Sequence, residues 1–402
     1  MPELKKERYN MSQKVKLGII GVGNMGTAHI QNSVEGKMPE IEITCVADID
    51  EKKFENAKKR LPDVVCFNSA TELINSGLCE AVIIATPHYF HPPIAIEALK
   101  AGLHVMSEKP AGVYTKQVNE LIKFAETQDK TYAIMFNQRT NCVYRKVREL
   151  VKSGKYGEIK RVNWIITDWF RTQQYYNSGG WRATWSGEGG GVMLNQCPHQ
   201  LDLWQWICGM PSTVKAVCNV GKWHDIEVED DVTIYVEYPN GATGTFITST
   251  GDYPGTNRLE ITMDKAKIVC QDNRISNKWE ILVFELENSV EEVIKTSENS
   301  FDAIKGEWKE IETDGMNEQH TGVMNAFAAH ILRGEPLVAD GAEGINGLTI
   351  SNAAFLSSWL DKTIELPFDE DLYYELLQEK IKNSKFVKVV NEQVVEDMSS
   401  TY

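Results

Sequence analysis

Between residues 15 and 136 short aliphatic runs alternate with amphipathic stretches, the order of stacked strand-helix-strand units around a parallel sheet. The runs lie at residues 16–20, 42–47, 81–85 and 104–106, with a fifth at 132–136. Residues 93–101 carry core-facing helical spacing and are closed by Gly102, where a left-handed cap is needed. After residue 140 β-branched and aromatic residues alternate with polar ones at 161–167 and 231–238, the signature of half-buried antiparallel strands. Asn240-Gly241 within residues 238–246 is a hairpin signal joining two of them. Helical spacing returns at 324–332 and 347–361. The expected fold class is therefore α/β, a doubly wound parallel sheet, followed by an α+β domain with an open, mainly antiparallel sheet and helices on one face. The expected division is a polar tail at 1–14, a first domain at 15–139, a second at 140–340 and a charged extension at 368–402.

With 42% hydrophobic and 25% charged residues in 402, the chain can bury a large core and lacks the makeup of a disordered protein. A formal charge of −15 repels nucleic acid and anionic lipid, which points to a small neutral ligand. The eight cysteines stand singly, with no C-x-x-C pair for zinc or redox work, and read as thiols of a reducing compartment. No metal is expected. The first 14 residues lack an apolar stretch that would serve as a secretory signal, and the longest aliphatic runs are too short to span a bilayer. A cytoplasmic protein with no membrane partner is expected.

Gly21-Val22-Gly23-Asn24-Met25-Gly26 matches G-x-G-x-x-G, follows the first strand and opens a helix. The first glycine permits the tight turn, the second lets a pyrophosphate approach, and the third allows close helix-strand packing. The helix start offers unpaired N–H groups to phosphate. Asp48 ends the second strand where a carboxylate would take the adenosine ribose hydroxyls and repel a 2′-phosphate; the first arginine after it is Arg60. NAD is favoured over NADP.

Ligand crevices in such sheets lie at the carboxyl ends of the strands. There stand Thr86, Pro87 and His91, then Glu108, Lys109 and Pro110. With Gly189-Gly190-Gly191 and the downstream His199, these segments resemble the glucose-fructose oxidoreductase, inositol dehydrogenase and rhizopine-catabolism family, Gfo/Idh/MocA, over about residues 15–367. The resemblance implies an N-terminal Rossmann domain and a closing helix and strand at 341–367. It implies that Lys109 is catalytic, that a cis bond precedes Pro110, that His199 faces the substrate alcohol, and that Asn137 lies near the nicotinamide ribose. Independently, oxidising an alcohol needs a base poised near neutrality, which histidine supplies and a desolvated lysine approaches. His199 is read as the principal acid/base with Lys109 polarising the oxygen, the reverse assignment remaining open. Many members of the family carry aspartate where this chain has Asn195, which can orient a partner but cannot take a proton.

Arg171, Tyr176, Trp181 and Arg182 precede the glycine run and, with Asn195 and Asp202, make the aromatic and polar mix of a small polar-ligand site; single aromatics of this kind otherwise fill cores. By resemblance, the substrate is a sugar or glycoside, oxidised at C3 of a glucose-type ring to a 3-keto sugar. An inositol or other polyol is the first rival. A non-catalytic dinucleotide sensor is the second. The open sheet needs a cover, which predicts a homodimer or homotetramer.

Overall fold

The computed structural model describes residues 13–276 and 278–390. Most of the polar tail and residues 391–402 of the charged extension lie outside the described residues.

The first sheet has six parallel strands: β1 (Val15–Ile20), β2 (Ile41–Ala47), β3 (Val65–Phe67), β4 (Ala81–Ile84), β5 (His104–Ser107) and β6 (Tyr132–Ile134). Their order is β3-β2-β1-β4-β5-β6. The unbroken aliphatic run of β4 is fully buried because helices cover both faces of the sheet. The helix read at 93–101 runs His91–Lys100, and Gly102 beyond it has a φ of +82°. The sequence reading has no counterpart of β3. Its three residues sit at the sheet edge, partly exposed, and are too few to display a period.

The second sheet has nine strands: β7 (Ile159–Ile166), β8 (Thr213–Val220), β9 (Glu229–Glu237), β10 (Thr243–Ser249), β11 (Asn257–Met263), β12 (Ala266–Asn273), β13 (Lys278–Leu286), β14 (Gly306–Glu310) and β15 (Ile364–Glu365). Their order is β14-β13-β12-β11-β7-β10-β9-β8-β15. The Asn240-Gly241 turn joins β9 to β10, with Gly241 at a φ of +82°. One pair departs from the antiparallel expectation: β10 lies parallel to β7, Phe246 opposite Trp164. Alternation reports which face a residue takes, not the direction of its neighbour.

Helices Cys142–Lys152, Pro198–Cys208 and Gly344–Leu360 cover one face of this sheet, burying Trp164, Trp204, Phe246 and Phe355. The opposite face exposes Ile165, Val217 and Tyr235. Within the segment read as a charged extension, the helix Glu370–Asn383 is capped by Asp369 and buries Tyr373 and Leu377 in the same core.

The helix Gln319–Arg333, expected inside the second domain, packs elsewhere. Its Val323, Met324, Phe327 and Ala328 share a core with Leu17, Ile19 and Met106 of the first sheet and with Met135 just beyond β6. Helical spacing identifies an apolar face but not the surface it will cover.

Candidate active site

The turn after β1 is built as its glycines require. Gly21 has a φ of +96°, and a Cβ there would meet the Ala85 carbonyl oxygen at 2.5 Å. A Cβ on Gly26 would lie 2.0 Å from the Gly21 oxygen, so only glycine lets the helix Asn24–Val34 start this close to the strand. Gly23 faces open space within 4 Å, and no side chain caps the helix start. Asn24 and Met25 form its first turn, partly exposed. Asp48 is fixed at the end of β2, one oxygen accepting from the Val22 N–H at 2.8 Å and the other from Asp50 N–H at 2.9 Å, with Lys53 at 3.2 Å.

Beyond β4, β5 and β6 three buried polar atoms have no protein partner among the described residues: Thr86 Oγ1, Glu108 Oε2 and Asn137 Oδ1. Buried polar atoms are rarely left unsatisfied, and three at one row of strand ends fit a polar ligand lying across them. A dinucleotide suits this cradle, with Gly21 to Gly26 at its phosphates and Asp48 at a ribose. Glu108 is held from behind by His29, whose Nε2 lies 2.8 Å from Oε1. Burial, the largest single influence, would raise that carboxyl, but the His29 hydrogen bond together with the positive charges of His29, His320 and Lys109 holds the group below its usual range.

Lys109 follows, joined to Pro110 by a cis peptide. Its Nζ donates to the Asn195 carbonyl oxygen at 2.9 Å. Desolvation lowers its pKa below the ordinary 10.5, with the positive charge of Arg182 acting the same way and Glu108 opposing both. His199 lies in the first turn of the helix Pro198–Cys208, four residues beyond Asn195, with only 3% of its surface exposed. Neither of its ring nitrogens has a partner among the described residues. Burial, then the charge of Lys109, pushes its pKa well below the ordinary 6.5, so the ring is neutral. A lysine of the first domain and a histidine of the second therefore meet within electrostatic reach, tied through the Asn195 backbone.

The glycine run packs closely on its neighbours. A Cβ on Gly191 would strike the Glu229 carbonyl oxygen at 2.0 Å. The wholly buried Glu229 carboxyl accepts from the Gly191 and Met193 N–H groups at 2.7 and 2.9 Å. The Asn195 side chain donates to Glu188 Oε1, whose second oxygen accepts from Ala183 N–H at 2.6 Å. Asn195 thus meets Lys109 through its main chain and Glu188 through its amide.

Residues 15–136 match the oxidoreductase family's NAD-binding Rossmann fold, and residues 144–269 match the GFO/IDH/MocA C-terminal domain. The chain belongs to the Gfo/Idh/MocA family. Among curated relatives, inositol 2-dehydrogenase of Corynebacterium glutamicum is 29% identical over 200 residues, 50% of this chain and 56% of the relative. The chain thus spans about half the length of several curated relatives it matches. Myo-inositol 2-dehydrogenase of Thermotoga maritima is 22% identical and aligns over 88% of this chain and 98% of its own. The WlbA dehydrogenase of Chromobacterium violaceum, solved with NADH and UDP-GlcNAcA, superposes with a TM-score of 0.75 at 26% identity, covering 89% of this chain and 97% of that one. Levoglucosan dehydrogenase, solved with NADH and levoglucosan, shares the fold at a TM-score of 0.73 and 20% identity, covering 88% of this chain and 100% of that one.

In this Gfo/Idh/MocA chain several residues expected at the site do other work. Both ring nitrogens of His91 are engaged by main-chain carbonyls, Pro110 at 2.8 Å and Thr86 at 2.7 Å, so the ring clamps the two crevice loops to each other. Asp202 is locked by Arg139 through paired contacts of 2.8 and 2.7 Å. Tyr176 is core, 1% exposed, its hydroxyl 2.7 Å from that of Thr250. Arg171 donates to its neighbour's carbonyl, Phe170 O, at 2.9 Å, and lies over the Tyr175 ring at 5.1 Å.

Trp181 and Arg182 do reach the crevice wall. Trp181 meets the His88 ring edge-on at 5.3 Å, and the Arg182 guanidinium lies 4.7 Å from the Tyr175 ring centre and 4.6 Å from that of Trp181. The residue after Thr86, Pro87, starts the turn that holds His88. Tyr175 rather than Tyr176 is the polar aromatic here, its hydroxyl accepting from Arg182 Nη1 at 2.8 Å and Gln196 Nε2 at 2.9 Å. Tyr175, Glu188, His29 and His320 were not singled out from the sequence. The His320 ring lies 5.8 Å from that of His29, and burial lowers its pKa to about 4. Asn137 donates to Gln319 Oε1 at 2.5 Å, and Gln319 adopts a φ of +51°. Among the described residues, no cluster of histidine, cysteine and carboxylate could hold a metal, and no helix is long and apolar enough to cross a membrane.

Proposed function

We propose that this protein is an NAD-dependent dehydrogenase acting on a secondary alcohol of a sugar, glycoside or polyol, with the C3 hydroxyl of a glucose-type ring as the favoured position. The observation carrying this reading is the neutral, unpartnered His199 ring beside the ammonium of Lys109 at the mouth of a dinucleotide cradle. When bound, NAD supplies the ring that accepts the hydride from the carbinol carbon. The chain's own residues handle the proton. Lys109, anchored by the Asn195 carbonyl, keeps N–H bonds to offer the alcohol oxygen as it becomes a carbonyl. His199 has a free ring nitrogen to receive the hydroxyl proton and returns it in the reverse direction. Trp181, Arg182 and Tyr175 present the stacking faces and donors that suit a hydroxylated ring. The names of the relatives that act on inositol and levoglucosan support the substrate class. The exposed face of the second sheet, with Ile165, Val217 and Tyr235, supports assembly as a homodimer or homotetramer.

The test is NADH absorbance on incubation with NAD and a panel of sugars, glycosides and inositols. Turnover is expected with at least one, and Lys109→Met or His199→Ala should lower kcat by roughly 10²–10⁴-fold while NAD still binds. A protein that binds NAD and reduces it with no member of the panel would be the sensor, and the enzymatic reading would fall.

A further inference from the structure

The wall carrying Trp181 and Arg182 contains a backbone conformation that non-glycine residues avoid: Ala183 has a φ of +57° and is fully buried. Such a conformation persists only where its surroundings over-determine it. Two carboxylate-bearing residues grip it. Glu188 accepts from the Ala183 N–H at 2.6 Å, and the Ala183 carbonyl accepts from the Glu227 N–H at 3.3 Å.

The C-terminal segment touches Glu227 directly and faces Glu188 only across space. The Ser384 hydroxyl donates to Glu227 Oε2, and the other oxygen of that carboxylate accepts from the Trp185 N–H at 2.9 Å. Lys388 Nζ donates to the Tyr176 carbonyl, in the last turn of the five-residue helix Gln173–Asn177. A helix this short leaves its final carbonyls without intrahelical partners, and an ammonium is the group that suits them. From there Lys388 lies within electrostatic reach of Glu188, which it attracts, and of Arg182, which it repels. One helical turn before Ser384, Lys380 sits 5.8 Å from the Trp185 ring centre. A further carboxyl near this wall, Asp230, is taken by the N–H groups of Lys222, Trp223 and His224 at 2.9–3.0 Å.

We propose that residues 384–390 strap the strained turn at Ala183 from outside, with Lys388 a positioning residue for Arg182 and Glu188 and so for the part of the crevice that selects the alcohol. The selection half of this statement rests on the dehydrogenase reading; the strapping half does not.

Full-length Lys388→Met, Lys388→Arg and Ser384→Ala separate the two. With the best alcohol of the panel, Lys388→Met should raise KM about tenfold, the effect of losing one charge-assisted hydrogen bond, with kcat within about twofold and NAD affinity unchanged. Lys388→Arg, which keeps a charged donor, should restore KM to within about twofold of the parent. Amide hydrogen exchange over residues 173–188 should quicken in Lys388→Met and Ser384→Ala and not in Lys388→Arg. An unchanged KM in Lys388→Met, or a fall in kcat and NAD affinity together, overturns the role in selection. Unchanged exchange over 173–188 in both Lys388→Met and Ser384→Ala overturns the strap. If the parent protein turns over no alcohol, the dehydrogenase reading fails and the exchange measurement alone still decides the strap. Should Lys388→Met fail to fold, Ser384→Ala carries the same expectations.

Discussion

At the scale of single residues, the state of His199 sets the pH behaviour. Its pKa is depressed, so the ring stays neutral and able to accept a proton at pH values where an ordinary histidine would be charged. Alcohol oxidation by kcat/KM should therefore hold its level through pH 6.5 instead of halving there. Lys109 also titrates below its ordinary 10.5, so the ammonium proposed to polarise the oxygen should be lost, and the rate should decline, before pH 10.5 is reached. A pH-rate profile breaking at 6.5 on the acid side would contradict the buried, unpartnered ring. Lys109 and His199 are picked out in the sequence by the family resemblance, and the structure places one just after β5 and the other in the first turn of the helix Pro198–Cys208. His29 and His320 lie about 290 residues apart and meet only in the fold, so no local pattern marks them. Asp202 misleads for the same reason. A carboxylate three residues after a histidine looks available until Arg139, 63 residues away, closes on it.

Between elements, Arg139 ties three segments together. Seated just after β6, it reaches Asp202 on the helix Pro198–Cys208 and Glu343 before the helix Gly344–Leu360, the latter at 2.7 Å, while its guanidinium lies 5.3 Å from the Trp206 ring centre. Removing one side of a buried pair leaves an uncompensated charge. Arg139→Met should accordingly lower unfolding free energy by about 3–5 kcal/mol in denaturant titration. A loss under about 1 kcal/mol would mean that water already compensates Asp202. Five strands of the first sheet, β7 and β9 of the second and three of the helices were readable from spacing, and the Asn240-Gly241 turn from its chemistry; β8 and β11–β14 were not read. The parallel β7–β10 pair and the short β3 were not, because direction and partner are decided by chain crossings with no period of their own.

Over the whole molecule, the Glu229 carboxyl links stability to pH. Burial raises its pKa from the ordinary 4.5 to about 8, against the two backbone N–H groups it accepts from. The folded chain thus holds a proton that the unfolded chain releases above pH 4.5, and the stabilisation this gives fades as pH rises toward and through about 8. The melting temperature should fall between pH 6 and 9, and the slope should be shallower in Glu229→Gln even though that variant is less stable overall. An identical slope in both would remove Glu229 from the account. The two-sheet plan was legible at this scale, while the ownership of the helix Gln319–Arg333 was not. Its packing on β1 has a consequence for synthesis. The nucleotide half precedes the second sheet in the chain, yet the core around Leu17 and Ile19 stays incomplete until residues 323–328 emerge, so that half cannot be finished before most of the second sheet has been made.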